Sequence, residues 1–424
     1  MGAPTARKRH SILLTINAAP ALSTLALSAL IFITPVFAQS RRPTEKKPIV
    51  SAGQRAPTQD SVAFDQLARR AGVAREANQL SESINLYQQA LKMQPSWTEG
   101  WWYLGTLLYE LDRYTEARDA LRRFVTLEPK AGPGYALMGL CEFQLREYER
   151  ALVNIQRGRA LGLGDSEQLT FVTRYHAAIL LTRFEFFEGA TEILHFFART
   201  QTKENPKVTE AIGLSVLRLP LLPSDISADK RDLVLRAGRA ASHHAARRLV
   251  DARKEFEQLV ALYPETPNVH YAYGVFLLDD NPDAAAKQFQ RELKISPSHV
   301  PARLQIAFTH IKNRDYAAGL PLAEEAVRLD PASFPARNAL GRILIETGDV
   351  ARAIKELEAG VKQAPDSPEM HFALARAYTR AGRKEDAKQA RANFLRLDKL
   401  RRDQRGESQS ASALEANPDN PTPR

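Results

Sequence analysis

Apolar residues recur every three or four positions through the middle of the chain, which predicts amphipathic α-helices that each bury one face. Prolines end many of these helical segments at a regular distance, with a gap of 34 residues in one group and gaps of 33, 34 and 34 residues in another. These prolines are Pro95 and Pro129 in the first group and Pro264, Pro297, Pro331 and Pro365 in the second. A period of this length indicates an array of repeated helix pairs rather than one globular core.

Small residues keep the same phase as the prolines. Gly105, Gly139 and Gly341 fall where the two helices of a pair would cross, and Ala375 takes that place in the last pair. A second small residue lies in the following helix of each pair, at Ala117, Ala151, Ala252, Ala353 and Ala387. Small side chains at both places would let the helices approach closely, while the proline ends the second helix and sets the turn into the next pair.

At these positions, for example Trp101-x-x-Leu104-Gly105 followed by Ala117, the chain resembles the tetratricopeptide repeat family over about 61–163 and 233–400. The resemblance implies an all-α fold, an α-solenoid of stacked helix–turn–helix pairs with about seven to eight repeats and an irregular insertion in the middle. No single pair buries its apolar face, so stacking is expected to stabilise the array.

The other segments differ in composition. Residues 164–200 have the length of a helix pair and many aromatic residues, whose rings either fill the core or line a partner-binding pocket. In 201–232, a short helix from Pro206 is predicted to have no partner. The predicted organisation is a signal peptide at 1–38, a disordered linker at 39–60, an N-terminal repeat block at 61–163, a divergent helix pair at 164–200, an irregular connecting segment at 201–232, a C-terminal repeat block with a capping helix at 233–400 and a disordered tail at 401–424.

The N-terminal segment has the pattern of an export signal. Arg7, Lys8 and Arg9 precede an uncharged apolar run that ends with small residues at Val36 and Ala38. This predicts export to the periplasm or cell envelope with cleavage after Ala38, and an uncleaved membrane anchor is the alternative. The net charge of +10 is concentrated near this end, because residues 61–400 carry 47 bases against 43 acids. So dilute a charge argues against a nucleic-acid partner.

Candidate catalytic and metal-binding groups are few. One cysteine excludes an intrachain disulfide, and adjacent His243 and His244 would diverge on a helix and could not chelate a metal together. Ser227 and Lys230 match the S-x-x-K string of acyl-transfer enzymes without its companion strings. The sequence therefore predicts no enzyme, no metal and no cofactor. The alternative is an enzyme or assembly factor with a site within 165–232, built on Ser227, Lys230 and His176.

The resemblance further implies that the first helix of each pair lines a concave groove. The inward positions form an apolar N-terminal half and a basic C-terminal half, at Trp102, Tyr109, Phe143, Lys312, Asn338, Arg342, Phe372, Arg376 and Arg380. These residues predict a non-catalytic protein–protein interaction scaffold or adaptor that binds a peptide or helix of a partner protein, with the basic half favouring an acidic one. Alternatively, the charges belong to the solvated faces of amphipathic helices.

Overall fold

The computed structural model describes residues 59–200 and 204–416, with side chains described as far as Asp403. The predicted signal peptide, nearly all of the predicted linker and the end of the predicted tail lie outside these residues. The chain forms two compact units, and the boundary between Glu255 and Phe256 falls within a helix. Among the described residues there are nineteen α-helices, one 3₁₀ turn at Pro223–Asp225 and no strand, so the predicted all-α solenoid is confirmed.

The N-terminal unit is a succession of helices joined by short turns, in which each helix packs against the next one along the chain as far as α10. Its helices are α1 (Gln59–Glu76), α2 (Leu80–Met93), α3 (Thr98–Glu110), α4 (Tyr114–Leu127), α5 (Gly132–Gln144), α6 (Tyr148–Leu161), α7 (Glu167–Arg183), α8 (Phe187–Thr200), α9 (Pro206–Val216), α10 (Ala228–Ala245) and α11 (Leu249–Leu262), the last of which contains the boundary. Nineteen helices are more than seven or eight pairs require, and α9 has no place in the repeat period.

The C-terminal unit contains four helix pairs. They are α12 (Val269–Leu277) with α13 (Pro282–Ile295), α14 (Val300–Lys312) with α15 (Tyr316–Leu329), α16 (Phe334–Thr347) with α17 (Val350–Gln363), and α18 (Pro368–Arg380) with α19 (Lys384–Ala416). The small residues act as expected, because a Cβ added at Gly341 would lie 2.5 Å from Cγ of Leu357 in the facing helix. Ala353, on that facing helix, is fully buried.

Most first helices end in a turn that contains one residue with left-handed backbone. The non-glycine members have φ between 52° and 67°, a conformation that favours glycine, asparagine and aspartate. The residues of this turn are Asn78, Asp112, Arg146, Glu185, Arg218, Arg247, Arg314, Gly348 and Gly382. Both α9 and α10 end in this way, so each has the C-terminal turn of a first helix.

A repeated hydrogen bond fixes the connection between successive pairs. In the part of the chain that the structure describes, five first helices carry in their first turn a side-chain N–H group that reaches the carbonyl of the proline six residues earlier. The bonds are Trp101 to Pro95 (2.8 Å), His270 to Pro264 (2.9 Å), Arg303 to Pro297 (2.7 Å), Arg337 to Pro331 (2.8 Å) and His371 to Pro365 (2.8 Å). Three residue types therefore satisfy the same backbone acceptor.

The prediction that the helix in 201–232 has no partner is wrong. Helix α9 packs tightly on α10: a Cβ added at Gly213 would lie 1.9 Å from the carbonyl oxygen of Val234, and one added at Gly238 would lie 2.0 Å from that of Thr209. The two backbones therefore touch at both glycines. Ser215 connects α9 to α8 by donating to the carbonyl of Phe187 at 3.0 Å. Helix α10 therefore pairs with α9 as the second helix of that pair, although the repeat period of the sequence places it as a first helix.

Candidate functional site

The predicted apolar half of the groove is packed into the N-terminal unit. Trp102 is only 7% exposed, and its ring lies 5.2 Å from that of Phe124, so its predicted place on an open groove surface is wrong. Tyr109 is partly buried, with its ring 5.6 Å from the ring of Tyr114. Phe143 is also partly buried, and its ring meets His176 edge to face at 4.6 Å. These rings form the contacts between neighbouring helices.

The aromatic residues of α7 and α8 divide between core and surface. Phe187 and Phe197 are buried, as a core function requires, whereas Phe171 and Phe186 keep about two fifths of their surface exposed. The guanidinium of Arg174 lies 4.1 Å from the ring centre of Phe196, which covers one face of that ring. The buried rings therefore fill the core, and a partner-binding pocket at the exposed ones stays a prediction.

The basic half lies at the surface of the first helices of the C-terminal unit, partly or fully exposed, and we call it the basic stripe: Lys312, Arg342, Arg376 and Arg380. Lys312 is exposed on α14. Arg342 lies 5.9 Å from the ring centre of Phe308, and partial burial together with nearby Arg376 lowers its pKa. Among the described residues neither Lys312 nor Arg342 forms a salt bridge. A partner carboxylate could therefore pair with either one.

Asn338 does not belong to this exposed surface. It is 6% exposed, donates from Nδ2 to the carbonyl of Glu369 at 3.1 Å and lies 3.6 Å from the sulfur of Met370. Its predicted role in the groove is therefore wrong, because α18 covers it. Glu346, near the end of the same helix, forms a salt bridge with Arg376 and approaches Arg380 at 3.7 Å. One acid is thus shared between two arginines of the stripe.

A cleft of about 370 Å³ lies between α18 and α19 at the end of the stripe, and we call it the terminal cleft. Its apolar wall is formed by the rings of Phe372 and Phe394, 5.3 Å apart, and by Leu395. Its full lining is Phe372, Ala375, Arg376, Thr379, Arg380, Arg391, Phe394 and Leu395. An apolar wall beside three guanidinium groups suits an apolar side chain that is accompanied by a carboxylate.

The α19 half of this cleft was not anticipated. Arg391 reads in the sequence as part of the polar flank of a capping helix, yet it lines the cleft together with Phe394 and Leu395. Arg401 of α19 forms a bidentate salt bridge with Glu369 at the start of α18. The hydrogen bonds from Arg401 lower the pKa of Glu369 to about 2. The signal available in the sequence was the adjacent apolar pair Phe394 and Leu395 on a helix rich in charged residues.

The arginines that line a second cleft, of about 590 Å³ in the N-terminal unit, form salt bridges with acids beside it. Arg118 and Arg150, which line it, form salt bridges with Glu147 at 2.8 and 2.9 Å. Glu142 accepts a hydrogen bond from Asn154 at 2.7 Å, while burial raises its pKa. This cleft therefore has the character of a structural ion-pair network.

The described residues offer little for chemistry. Cys141 is fully buried, and burial raises the pKa of its thiol. Ser227 and Lys230 are exposed at the start of α10, whereas His176 is bonded at 2.7 Å to the carbonyl of Val172 within α7. No cluster of three potential metal ligands occurs within residues 59–200 and 204–403. No helix of the described part is long and apolar enough to cross a membrane.

Two family models, both described as tetratricopeptide repeat, match the chain. One matches residues 69–136 and 238–300, and the other matches 310–373 and 348–392. Together these matches cover just over half of the chain and include both units. The anaphase-promoting complex subunit 3 of Dictyostelium discoideum is 33% identical over 75 residues, a stretch that is 18% of this chain and 8% of that protein. The chain therefore spans a small part of the length of this relative.

Several solved structures are similar to part of the chain. A structure of a MamA mutant is 23% identical, with 40% of this chain and 99% of that chain covered and a TM-score of 0.33. "Crystal structure of YrrB: a TPR protein with an unusual peptide-binding site" is 17% identical, with 40% and 88% covered and a TM-score of 0.34. "Crystal structure of MamA protein" is 14% identical, with 39% and 92% covered and a TM-score of 0.35. TM-scores this low support no inference about function.

Proposed function

Because the chain belongs to the tetratricopeptide repeat family, we propose that it is a protein-interaction scaffold whose C-terminal unit binds an acidic peptide or helix of a partner protein. The terminal cleft and the basic stripe that leads to it carry this proposal, since they combine apolar surface with more cationic than acidic groups. Partly desolvated arginines at such a surface would favour carboxylates. Binding of this kind requires no catalytic group and no cofactor.

We also propose that the scaffold acts outside the cytoplasm, in the periplasm or cell envelope. The support is the basic start at Arg7–Arg9 and the apolar run that ends at Ala38. N-terminal sequencing of the protein recovered from the cell envelope tests this. The expected first residue is Gln39, and recovery of the full chain from the cytoplasm would contradict export.

The binding surface can be located by site-specific photo-crosslinking. A photoreactive amino acid at Phe372, whose side chain is about half exposed, should capture the partner in intact cells for identification by mass spectrometry. The purified partner is then titrated against the full chain by calorimetry. The double substitution Arg376→Glu with Arg380→Glu should weaken binding by about tenfold or more, because attraction becomes repulsion at two positions.

A matched control separates this local effect from the change in net charge. Lys355→Glu with Lys362→Glu makes the same charge change on exposed positions of α17, a second helix. This control should bind the partner as the unmodified chain does. Equal affinities of the two double variants would refute the basic stripe as the binding surface, and thermal melting would show that both variants are folded.

A further inference from the structure

The α16–α17 pair shows what covers a cleft of this kind inside the array. Met370 of the following first helix, α18, is completely buried between the two helices. A Cβ added at Gly360 of α17 would lie 2.2 Å from the terminal carbon of Met370, and Asn338 of α16 contacts the sulfur at 3.6 Å. A single apolar side chain at the third position of the covering helix therefore fills the space.

The equivalent residues of the last pair, 34 positions later, are open to solvent. Phe372 corresponds to Asn338 and is 49% exposed, compared with 6% for Asn338. Leu395, which corresponds to partly buried Val361, is 56% exposed. In the described part of the chain, the face that a further first helix would cover is thus apolar and accessible. Continuity of the repeat indicates that its natural occupant is a helix.

The charge at this face is the reverse of the charge inside the array. In the interior, Glu346 near the end of α16 forms a salt bridge with Arg376 of the covering helix, six residues after Met370. The residue 34 positions after Glu346 is Arg380, which lines the terminal cleft. Arg391, which stands in the place of the buried and uncharged Leu357, adds a further positive charge to the cleft. A covering helix would therefore need an acid where α18 has an arginine.

We propose that the terminal cleft binds an amphipathic helix of a partner protein in which an apolar side chain is followed, six residues later, by a carboxylate. Because Phe394 stands where Gly360 makes room for Met370, the apolar side chain packs on the outer face of the Phe372–Phe394 ring pair, and the carboxylate pairs with Arg380. This inference rests on the proposed function and specifies the partner's form and register. A second copy of this chain is a poorer occupant, because its first helix has Gln66 and Gly72 at the two corresponding positions.

Fluorescence polarisation with designed helical peptides tests the register and the charge. The probe peptide copies Pro368–Arg380 with Arg376→Glu, and the control peptide is the unaltered copy. The full chain should bind the probe peptide about tenfold more tightly than the control. The chain variant Arg380→Glu should invert this preference, because it restores the charge that Glu346 provides inside the array. Leu395→Ser should weaken binding of both peptides.

The variants are expected to fold, because the side chain of Arg380 is 60% exposed and Leu395 is 56% exposed. Equal affinities for the two peptides, or a preference that Arg380→Glu leaves unchanged, would overturn the inference. If either of these results is found while Lys312→Glu with Arg342→Glu still weakens binding of the crosslinked partner, the proposed function stands and only the proposed helix and its register are refuted. If neither set of variants changes partner binding, both proposals fail.

Discussion

The packing of α9 on α10 makes a sharp prediction about single methyl groups. Gly213→Ala adds a Cβ 1.9 Å from a backbone oxygen of α10, a clash that no side-chain rotation can relieve. The helices must separate by more than an ångström, and overpacking of this kind costs about 1–3 kcal/mol or more. Alanine in place of glycine within a helix returns about 0.5–1 kcal/mol. The net destabilisation should therefore be about 1–2 kcal/mol.

Gly189 and Gly72 provide matched controls in the same unit. A Cβ added at Gly189 in α8 would have its nearest neighbour at 3.8 Å, and one at Gly72 in α1 would have none within 4 Å. Gly189→Ala and Gly72→Ala should therefore stabilise the protein by the helix-propensity gain of about 0.5–1 kcal/mol. The gain is common to Gly213→Ala and Gly189→Ala, so the two variants should differ by the overpacking cost, about 1–3 kcal/mol or more.

Urea unfolding followed by circular dichroism measures the difference in the free energy of unfolding. Because repeat arrays unfold in parts, limited trypsin digestion gives a local measurement. Arg218 lies in the turn after α9 and forms a salt bridge with Glu188 at 2.6 Å, so cleavage there should accelerate in Gly213→Ala. If Gly213→Ala is as stable as Gly189→Ala and is cut no faster, α9 is not packed on α10 as described.

Three further predictions concern pH and backbone strain. Burial lowers the pKa of His176 to about 4, below the 6.5 of a free histidine, so the contribution of this residue to the free energy of unfolding should fall by up to about 2 kcal/mol between pH 7 and 5. Urea titrations should show a loss smaller by that amount in His176→Phe, which keeps the similar contribution of His195, whose pKa burial also lowers to about 4. The pKa of Glu369 is also lowered, so its contribution to stability is complete above about pH 4.5 and is lost towards pH 2. Because the pair with Arg401 is exposed, this loss should be about 1 kcal/mol or less, and thermal melts should show that it is absent in Arg401→Ala. Gly348→Ala should cost about 1 kcal/mol in urea unfolding because φ is 92°, whereas Arg314→Gly, at φ 60°, should leave the protein equally or more stable.

The period of the prolines and small residues was sufficient to predict the helix pairs. Gly341 and Ala353 lie where their helices cross, because a strict repeat places equivalent contacts at equivalent positions. The pairing of α9 could not be predicted in this way. It depends on contacts between Gly213 and Val234 and between Gly238 and Thr209, which belong to segments outside the period and become neighbours only in three dimensions.

The candidate site was predicted only in part. Helical position alone placed Arg376 and Arg380 on the surface correctly, but it also placed Asn338 there, where the neighbouring α18 covers it. A one-dimensional pattern gives the direction of a side chain and cannot give the size of the residue that lies opposite. The apolar wall at Phe394 and Leu395 was not predicted either. These residues line a cleft because no further pair follows them among the described residues, and a helical pattern does not contain that information.

The bond from the first turn of a first helix to the preceding proline has a consequence for how such chains can change. Tryptophan, histidine and arginine all serve as donors, since the acceptor is a main-chain oxygen that every residue type would offer. A junction built on such an acceptor does not require the two sides to match in sequence. Whole pairs could be duplicated, deleted or exchanged by recombination while the joints between them keep their geometry.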